Sequence, residues 1–340
     1  MHMELQSIIF DLCSTFGVSG SEAPALRCAE KYLASFGEIQ TDCNGNLFAL
    51  LGNPNAEKTI LLDAHLDRIG FIITDISDDG FVKVDKLGGI DIRVLQDCVL
   101  VAENGLKGTV CCLPPHLTDG NEGKATPISK TWVDFGMPAE QLRQQLNIGD
   151  TLTFAAQPQT LLGDKITAPA LDDRCGVAAL IRAAELISTD EYRVVILLST
   201  QEETYGTGAK TGAFQFDIDE AIAVDVSFAA QPDISGQYGK IELGKGPMIC
   251  ISSVMNRAMS DKLIAVAKEK NIPCQLEPIA GSTGTNGDHI AVSKSGVKTA
   301  VVSIPQRYMH TPVEVISLAD VENTARLIAE YINCGGAFHG

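Results

Sequence analysis

The sequence predicts an α/β fold in which a mostly parallel sheet is flanked by helices and interrupted by an inserted β-rich domain. Near both ends of the chain, short continuous apolar runs alternate with helical patterns, which is typical of such a sheet. Between about residues 68 and 163 the pattern changes to strand-sized segments of period two. We therefore predict one catalytic α/β domain, residues 1–67 and 164–340, and one inserted β-rich domain, residues 68–163.

The first elements are two helices and a buried strand. Apolar residues recur at helical spacing between Leu5 and Leu12. The second helix begins at SGSEAP, where Ser21 can cap the helix and Pro24 lies in its first turn. TILLDAH at residues 59–65 is a short continuous apolar run, which predicts a strand that is buried on both faces.

The remaining elements follow from the same two periodicities. The middle region has the strand-sized segments GFVKVDKL, GLKGTVCCL and DTLTFAA, with one short helical stretch at PAEQLRQQL. Beyond residue 165, helical patterns occur in GVAALIRAAELIS, SDKLIAVAKEKN and LADVENTARLIAEYI, the last with Ser317 as its cap. Strands are predicted at RVVILLST, EAIAVDVS and KTAVVSI.

Composition narrows the class of function. The chain has 340 residues, 45% of them hydrophobic, and a formal net charge of −17. Such acidity argues against nucleic acid or an anionic membrane as a partner, since both require a basic face. The ten cysteines are scattered without a CxxC pair, and neither a signal peptide nor an apolar run of membrane-spanning length is evident. We expect a cytoplasmic protein with reduced thiols.

Acidic and histidine side chains stand where a ligand would bind. In open α/β sheets, ligands bind beyond the carboxyl ends of the strands, so residues just after each apolar run are candidates. Two aspartates also lie just before a predicted helix. The candidates are His65, Asp172, Asp173, Glu202, Glu203, Asp225 and His310. Two imidazoles with several carboxylates are the side chains that a two-metal hydrolytic site requires.

The chemistry of such a site assigns distinct tasks to its carboxylates. Two divalent ions roughly 3.5 to 4 Å apart need a bridging carboxylate, an anionic ligand for each ion, and neutral imidazoles that leave positions open for water. A further carboxylate must stay unligated to act as general base. Glu202 and Glu203, adjacent in STQEETYGTG, can divide these tasks because neighbouring residues point in different directions.

Each candidate also has a plainer interpretation when it is taken alone. His65 could be a hydrogen-bonded core histidine, and His310 could lie on a surface loop. Asp172 and Asp173 could simply favour the start of the following helix. Asp225 is the strongest single case, since a carboxylate inside an apolar run is costly unless it is paired or binds a metal. The joint pattern favours the metal site.

Five segments, in order, carry a family resemblance: DAHLDRIGF, APALDDRCGVAAL, STQEETYGTGA, AVDVSF and YMHTPVEVISLADVE. They resemble the M42 family of metallo-aminopeptidases, which includes glutamyl aminopeptidases and the tetrahedral TET peptidases. The opening TFGVSGSE and DCNGNLFALLG are similar to that family's N-terminal signature. The resemblance implies a phosphorylase/hydrolase-like catalytic domain with an inserted β-barrel-like domain used in dimerisation, and assembly into dimers or dodecamers.

The resemblance also implies a role for each site residue. His65 and Asp225 would hold one metal ion with a bridging Asp172, while the second ion would be held by two further residues, Glu203 and His310. Glu202 would be the general base, and Asp67 would hydrogen-bond the His65 imidazole and fix its tautomer. The expected cofactors are two divalent ions, Zn²⁺, Co²⁺ or Mn²⁺, and the expected substrates are peptides.

The sequence departs from the family pattern at two positions, and it leaves rival functions open. Arg68 stands where many relatives have an acidic residue, and Asn286 stands where relatives tend to have aspartate; both changes bear on the substrate pocket. The rivals are a catalytically silent oligomeric scaffold and a glycosidase, which also uses paired carboxylates. A P-loop is excluded, because YGTGAKTG lacks the required spacing.

Overall fold

The computed structural model describes residues 4–117, 125–232 and 234–337. Helices in these ranges are α1 (Leu5–Ser14), α2 (Ala23–Leu33), α3 (Ala139–Leu142), α4 (Leu171–Leu186), α5 (Thr207–Phe214), α6 (Arg257–Glu269), α7 (Asn286–Ala291) and α8 (Leu318–Asn333). Short 3₁₀ turns occur at Ile92–Val94, Pro115–Leu117, Ile128–Lys130 and Tyr238–Lys240. No helix in the described ranges is long and apolar enough to cross a membrane.

The strands form a large sheet, a barrel and a small sheet. They are β1 (Glu38–Thr41), β2 (Leu47–Gly52), β3 (Thr59–His65), β4 (Gly70–Ile76), β5 (Phe81–Leu87), β6 (Val99–Ala102), β7 (Lys107–Val110), β8 (Trp132–Asp134), β9 (Thr151–Phe154), β10 (Gln159–Thr160), β11 (Lys165–Ala168), β12 (Arg193–Ser199), β13 (Glu220–Phe228), β14 (Met248–Ser252), β15 (Gln275–Ile279), β16 (Lys298–Gln306) and β17 (Glu314–Ser317). The small sheet is antiparallel, in the order β10-β11-β17.

The large sheet is parallel at its centre and has antiparallel pairs on either side, while its outermost pair, β14 with β15, is again parallel. Its order is β1-β2-β12-β3-β13-β16-β14-β15. The strands β12, β3, β13 and β16 run parallel, while β1, β2 and β12 pair in an antiparallel way, as do β14 and β16. Since parallel strands end at the same edge of a sheet, the residues that follow them converge there.

Side-chain alternation along β3 explains why both faces of this sheet are covered. All seven residues of β3 are buried. Ile60 and Leu62 pack in the core under α1, α4, α6 and α8, whereas Leu61 packs on the opposite face with α5 and α7. Each buried leucine contributes about 1.5–3 kcal/mol relative to exposure. The continuous apolar run therefore stabilises a strand between two helical layers, as the sequence predicts.

The middle of the chain closes into a six-stranded barrel in the order β4-β5-β8-β7-β6-β9. Inward-facing side chains such as Phe71, Val82, Leu100 and Leu152 form its separate core. The α/β fold with an inserted β-barrel-like unit is thus confirmed. The boundaries at residues 67/68 and 163/164 stay a prediction.

Several local predictions differ from the structure. Ser21 does not cap α2, which begins at Ala23; the Ser21 hydroxyl instead accepts a hydrogen bond from Thr151 in the barrel. Ser317 is the residue before α8, as predicted, but its hydroxyl donates to Asp164 and makes no cap bond. The two outermost strands on each side of the large sheet, β1 with β2 and β14 with β15, were not predicted, because they are short or lack a clear period.

Candidate active site

The carboxyl edge of the parallel strands gathers the predicted residues. His65 ends β3 opposite Ser199, the last residue of the neighbouring β12, so the loop with Glu202 and Glu203 begins beside His65. Asp225 lies near the end of β13, on the other side of β3. His310 follows β16, and Asp172 is in the first turn of α4. The order of the strands, with the loops and the helix that adjoin them, therefore brings together residues as far apart in sequence as His65 and His310.

Asp172 is the centre of the cluster. One carboxylate oxygen, Oδ1, lies 3.0 Å from Nε2 of His65, and the other, Oδ2, lies 3.2 Å from Nε2 of His310. The peptide bond that follows Asp172 is cis. A carboxylate with one oxygen directed at each imidazole is placed to serve two neighbouring cations.

Two groups of ligand atoms share this carboxylate. In each group the ligand atoms lie within 4.8 Å of one another: one group is His65, Asp172 and Asp225, and the other is Asp172, Glu203 and His310. All five predicted metal ligands are therefore in the cluster. Glu202 lies outside both groups, although its Oε2 is 4.0 Å from Nε2 of His65.

Both imidazoles are oriented so that Nε2 faces the cluster. Nδ1 of His310 donates to the backbone carbonyl of Gly89, 2.9 Å away, because a carbonyl can only accept. Nδ1 of His65 lies 3.2 Å from the carbonyl oxygen of Asp67 and 3.4 Å from its carboxylate. Position 89 has no room for a side chain, since a Cβ there would lie 2.7 Å from the His310 ring.

The loop that carries Glu202 and Glu203 is held by side-chain acceptors. The carboxylate of Asp67 accepts from the backbone N–H of Glu202 at 3.0 Å and of Glu203 at 3.2 Å. Just before them, the N–H groups of residues 200 and 201 donate to Asn46 and Glu22. Charge-assisted hydrogen bonds of this kind are strong, so they fix the direction of both glutamates.

The two adjacent glutamates differ in their exposure to solvent. The Glu203 side chain is 4% exposed and points toward His310, whereas the Glu202 side chain is 18% exposed. Burial raises the pKa of Glu202 to about 7. His65 opposes this shift, and the negative charge of Asp172 reinforces it. Burial likewise raises the pKa of Glu203 and of Asp225 well above their usual range.

The charges of the cluster are suited to cations. Burial alone would lower the pKa of both histidines, but hydrogen bonds with Asp172 raise that of His65 well above its usual value and that of His310 to about 10. Burial alone would raise the pKa of Asp172, but hydrogen bonds and charge interactions with the two histidines hold this pKa well below its usual range. The excess of carboxylates over imidazoles is a donor set that fits divalent metal ions, with nitrogen and oxygen ligands for each.

Glu314 is a further member of the site that the sequence did not single out. This residue is 1% exposed at the start of β17. Its carboxylate accepts from the backbone N–H of Asp172 and of His310, each at 3.1 Å, and from the Gln306 side chain. Glu314 therefore ties together the backbones of the central carboxylate and one imidazole. The available signal was a carboxylate at the start of a short apolar run, four residues after His310.

We expect Glu314→Gln to weaken metal binding by about 10- to 100-fold, the usual effect of losing a partner that orients a ligand. The reason is that an amide NH₂ would face N–H donors where the carboxylate oxygens only accept. Equilibrium competition with a chromophoric chelator measures the change. Glu220→Gln is the matched control, because Glu220 is equally buried at the far end of β13. Equal losses in both variants would contradict a positioning role.

Comparison with known proteins places this site in context. A family model described as M42 glutamyl aminopeptidase matches residues 45–327. A lysyl aminopeptidase from Pyrococcus furiosus is 34% identical over 299 residues, 85% of each chain. Aminopeptidase APDkam598 from the archaeon Desulfurococcus kamchatkensis superposes with a TM-score of 0.92 at 30% identity, covering 98% of this chain and 95% of that one. The Pyrococcus horikoshii TET1 peptidase, which can assemble into a tetrahedron or a large octahedral shell, gives 0.85 at 30% identity, covering 96% and 98%.

Proposed function

The chain belongs to the M42 glutamyl aminopeptidase family, and on this premise we propose that it is a dinuclear metal-dependent aminopeptidase that removes N-terminal residues from peptides. The observation that supports this most directly is the position of Asp172, with its two oxygens 3.0 and 3.2 Å from the two imidazoles. The similar lysyl aminopeptidase and the similar archaeal aminopeptidase support the reaction class.

The residues that would hold the ions follow from the two groups of ligand atoms. His65 and Asp225 would hold one ion, Glu203 and His310 the other, and Asp172 both. When bound, such ions lower the pKa of a water molecule and polarise the scissile carbonyl. We expect Zn²⁺, Co²⁺ or Mn²⁺, which share these ligand types.

In this proposal Glu202 is the general base. Its carboxylate is close to the cluster, belongs to neither ligand group and is the more exposed of the two adjacent glutamates. It would take the proton from the attacking water and pass it to the nitrogen of the leaving amine as the C–N bond breaks. A pKa near neutrality suits both transfers, because the same group must accept and then donate.

Asp67 would act through other residues. Its carboxylate accepts the N–H groups of Glu202 and Glu203 and lies 3.4 Å from Nδ1 of His65. It would therefore hold the base, one ligand and the imidazole in one arrangement. We expect the surplus of carboxylates to attract the cationic α-amine of a peptide, so that the enzyme acts from the N-terminus.

We also propose a homo-oligomer, a dimer or a dodecamer, in the cytoplasm. Assembly is supported by the oligomeric shells formed by the TET1 relative, and the barrel would carry the dimer contact. The ten free thiols are consistent with a reducing compartment.

Hydrolysis of aminoacyl p-nitroanilides tests the proposed function. The panel carries Glu, Asp, Leu, Ala, Lys or Arg, with and without chelator and with Zn²⁺, Co²⁺ or Mn²⁺ restored. We expect cleavage of at least one substrate, loss of activity on metal removal, and recovery on metal addition. An N-acetylated version of the best substrate should remain intact, because it lacks the free amine.

Other outcomes of this experiment would contradict the proposal. Activity that survives complete metal removal would exclude the two-metal reaction. Cleavage of glucan oligosaccharides in place of anilides would favour the glycosidase. No cleavage of anilides or of short peptides with both metals bound would favour a silent scaffold.

A further inference from the structure

The segment TFGVSGSE, residues 15–22, connects α1 to α2 and has no role in the reaction proposed above. It contacts the loop at residues 200–206, which carries both adjacent glutamates and is called the catalytic loop below. The Ser19 hydroxyl lies 2.9 Å from the Thr204 hydroxyl, and the Glu22 carboxylate accepts a hydrogen bond from the backbone of the catalytic loop. The segment is therefore a direct neighbour of the residues that would perform the chemistry.

Glu22 stands at the start of α2, but its side chain does not serve that helix. An acidic side chain at a helix start ordinarily interacts with the free N–H groups of the first turn. The Glu22 side chain makes no such cap bond, although the residue is only 6% exposed. Its Oε1 instead accepts the backbone N–H groups of Gly20 at 2.7 Å and Gln201 at 3.2 Å. The buried carboxylate therefore holds the catalytic loop.

Gln201 is the residue of the catalytic loop that this hydrogen bond fixes. Its φ is +58°, in the left-handed region that a residue with a side chain seldom adopts. Such a conformation persists only where the surrounding structure enforces it. The Gln201 carbonyl accepts the N–H groups of Tyr205 at 3.1 Å and Gly206 at 2.7 Å, while its own N–H donates to Glu22. Both backbone groups of this residue are thus engaged.

The conformation of Gln201 determines where the next two residues point. A left-handed residue in a turn lets successive backbone N–H groups converge on one anion. The N–H groups of Glu202 and Glu203 both donate to Asp67, at 3.0 and 3.2 Å. Glu22 holds the N–H of the preceding residue, so the peptide that leads into Glu202 is fixed on both sides.

The segment that carries Glu22 is itself firmly anchored. The fully buried guanidinium of Arg174 donates to the carbonyls of Thr15 at 2.5 Å and Gly17 at 3.3 Å. The Gly17 carbonyl also accepts the N–H of Arg68 at 3.1 Å, and the Arg68 carbonyl accepts the N–H of Ser19 at 3.2 Å. Position 17 has no room for a side chain, since a Cβ there would lie 2.4 Å from Arg174. Glu22 therefore extends from a rigid support.

We propose that Glu22 is a positioning residue for the reaction: by holding the N–H of Gln201 it fixes the direction of the Glu202 side chain. The inference rests on the proposed role of Glu202 as general base. Glu22 belongs to neither group of ligand atoms found among the described residues, so it acts on the base and leaves the metal ligands in place. Small displacements of a reacting group are costly, because proton transfer requires close approach to the attacking water.

Three substitutions of Glu22 separate its acceptor from its charge. Glu22→Met keeps the length but loses the acceptor, and we expect kcat to fall by ~10- to 100-fold, with KM within ~2-fold and metal content unchanged. Glu22→Gln should keep kcat within ~3-fold, because both N–H groups donate to one oxygen and an amide carbonyl can replace it. Glu22→Asp keeps the charge but withdraws the carboxylate by one methylene, so its kcat should fall.

Asp320→Leu is the matched control. Asp320 is a fully buried carboxylate at the start of α8, and it also accepts two backbone N–H groups, those of Gly244 and Gly246 at 2.7 Å each. These bonds fix a different loop, so kcat should stay within ~2-fold of the unmodified protein. An equal loss in Asp320→Leu and Glu22→Met would overturn the proposal, since it would reflect the loss of any buried carboxylate.

A double-mutant cycle tests whether Glu22 acts through Glu202. In the Glu202→Gln background the base is already absent, so adding Glu22→Met should lower the residual kcat by less than ~2-fold. Losses that multiply in the double variant would show that Glu22 acts independently of the base. That outcome would overturn the proposal.

Amide hydrogen exchange of the metal-free protein gives a measurement that does not depend on activity. The peptide that contains residues 200–206 should exchange at least ~10-fold faster in Glu22→Met and at the unmodified rate in Glu22→Gln. If the unmodified protein cleaves no substrate, the proposed function fails, while the exchange rates still decide whether Glu22 holds the catalytic loop. Unchanged exchange or lost metal in Glu22→Met, or equal losses of kcat in the Met and Gln variants, would overturn the inference.

Discussion

Glu202→Gln is expected to reduce kcat by roughly 10²- to 10⁴-fold or more while leaving the metal content unchanged. The amide has nearly the shape of the carboxylate but cannot accept the proton of the attacking water. Metal content should be unaffected, because the Glu202 side chain belongs to neither group of ligand atoms. Its backbone N–H still donates to Asp67, so the loop should keep its conformation.

The adjacent residue provides the comparison for this prediction. Glu203→Gln removes one of the three ligands of the second group, so it should lower the metal content as well as the activity. Metal analysis by plasma emission and steady-state kinetics on the best anilide separate the two effects. If Glu202→Gln loses metal, or keeps most of its turnover, Glu202 is not the base. If Glu202→Gln loses metal while Glu203→Gln keeps it but loses turnover, then Glu203 is the base and Glu202 is the ligand.

Asp172→Asn is expected to lower the affinity for both ions by more than the roughly 100-fold that loss of an orienting partner costs. Asp172 is the one residue common to both groups of ligand atoms among the residues described, with an oxygen beside each imidazole. The variant removes the shared anion, so two cations can no longer be held next to each other. Isothermal titration of the metal-free protein with Zn²⁺ or Mn²⁺ measures both affinities.

Asp173→Asn is the matched control for this variant. Asp173 is the next residue and equally buried, but it accepts from the backbone of Gly176 and belongs to neither ligand group. We expect this variant to retain two ions per subunit. If Asp172→Asn loses only one of the two ions, the Asp172 carboxylate is a ligand to that ion and does not bridge the two. Equal losses in both variants would indicate an effect of buried charge in general.

Much of the fold could be predicted because periodicity reports burial directly. TILLDAH is apolar at every position, and β3 is buried on both faces. The period-two segments of the middle region became β5, β7 and β9 of the barrel. By contrast, β14 and β15 were not predicted, since a strand near a sheet edge is stabilised by its neighbours as much as by its own pattern.

The residues of the candidate site were likewise predicted where a local sequence pattern marked them and missed where only tertiary contacts did. His65, Glu202 and Glu203 stood out because they directly follow apolar runs, where ligands bind in such sheets. Glu314 did not stand out, because its importance lies in hydrogen bonds that depend on tertiary structure: one to the distant Asp172, and two across the connection between β16 and β17, to Gln306 and His310. The Ser21 cap was wrong for a related reason, since the hydroxyl found a barrel partner, Thr151, that no local pattern reveals.

The sequence by itself determined the fold class, the inserted β region, the chemical types of the candidate site residues and, through ordered motifs, the family. Those properties depend on side-chain chemistry and on spacing within single elements. Only the tertiary structure decided that Asp172 lies between two imidazoles and that Asp67 holds the backbone of Glu202 and Glu203. Both facts depend on distances between segments that the order of strands brings together, and such distances have no local trace in the chain.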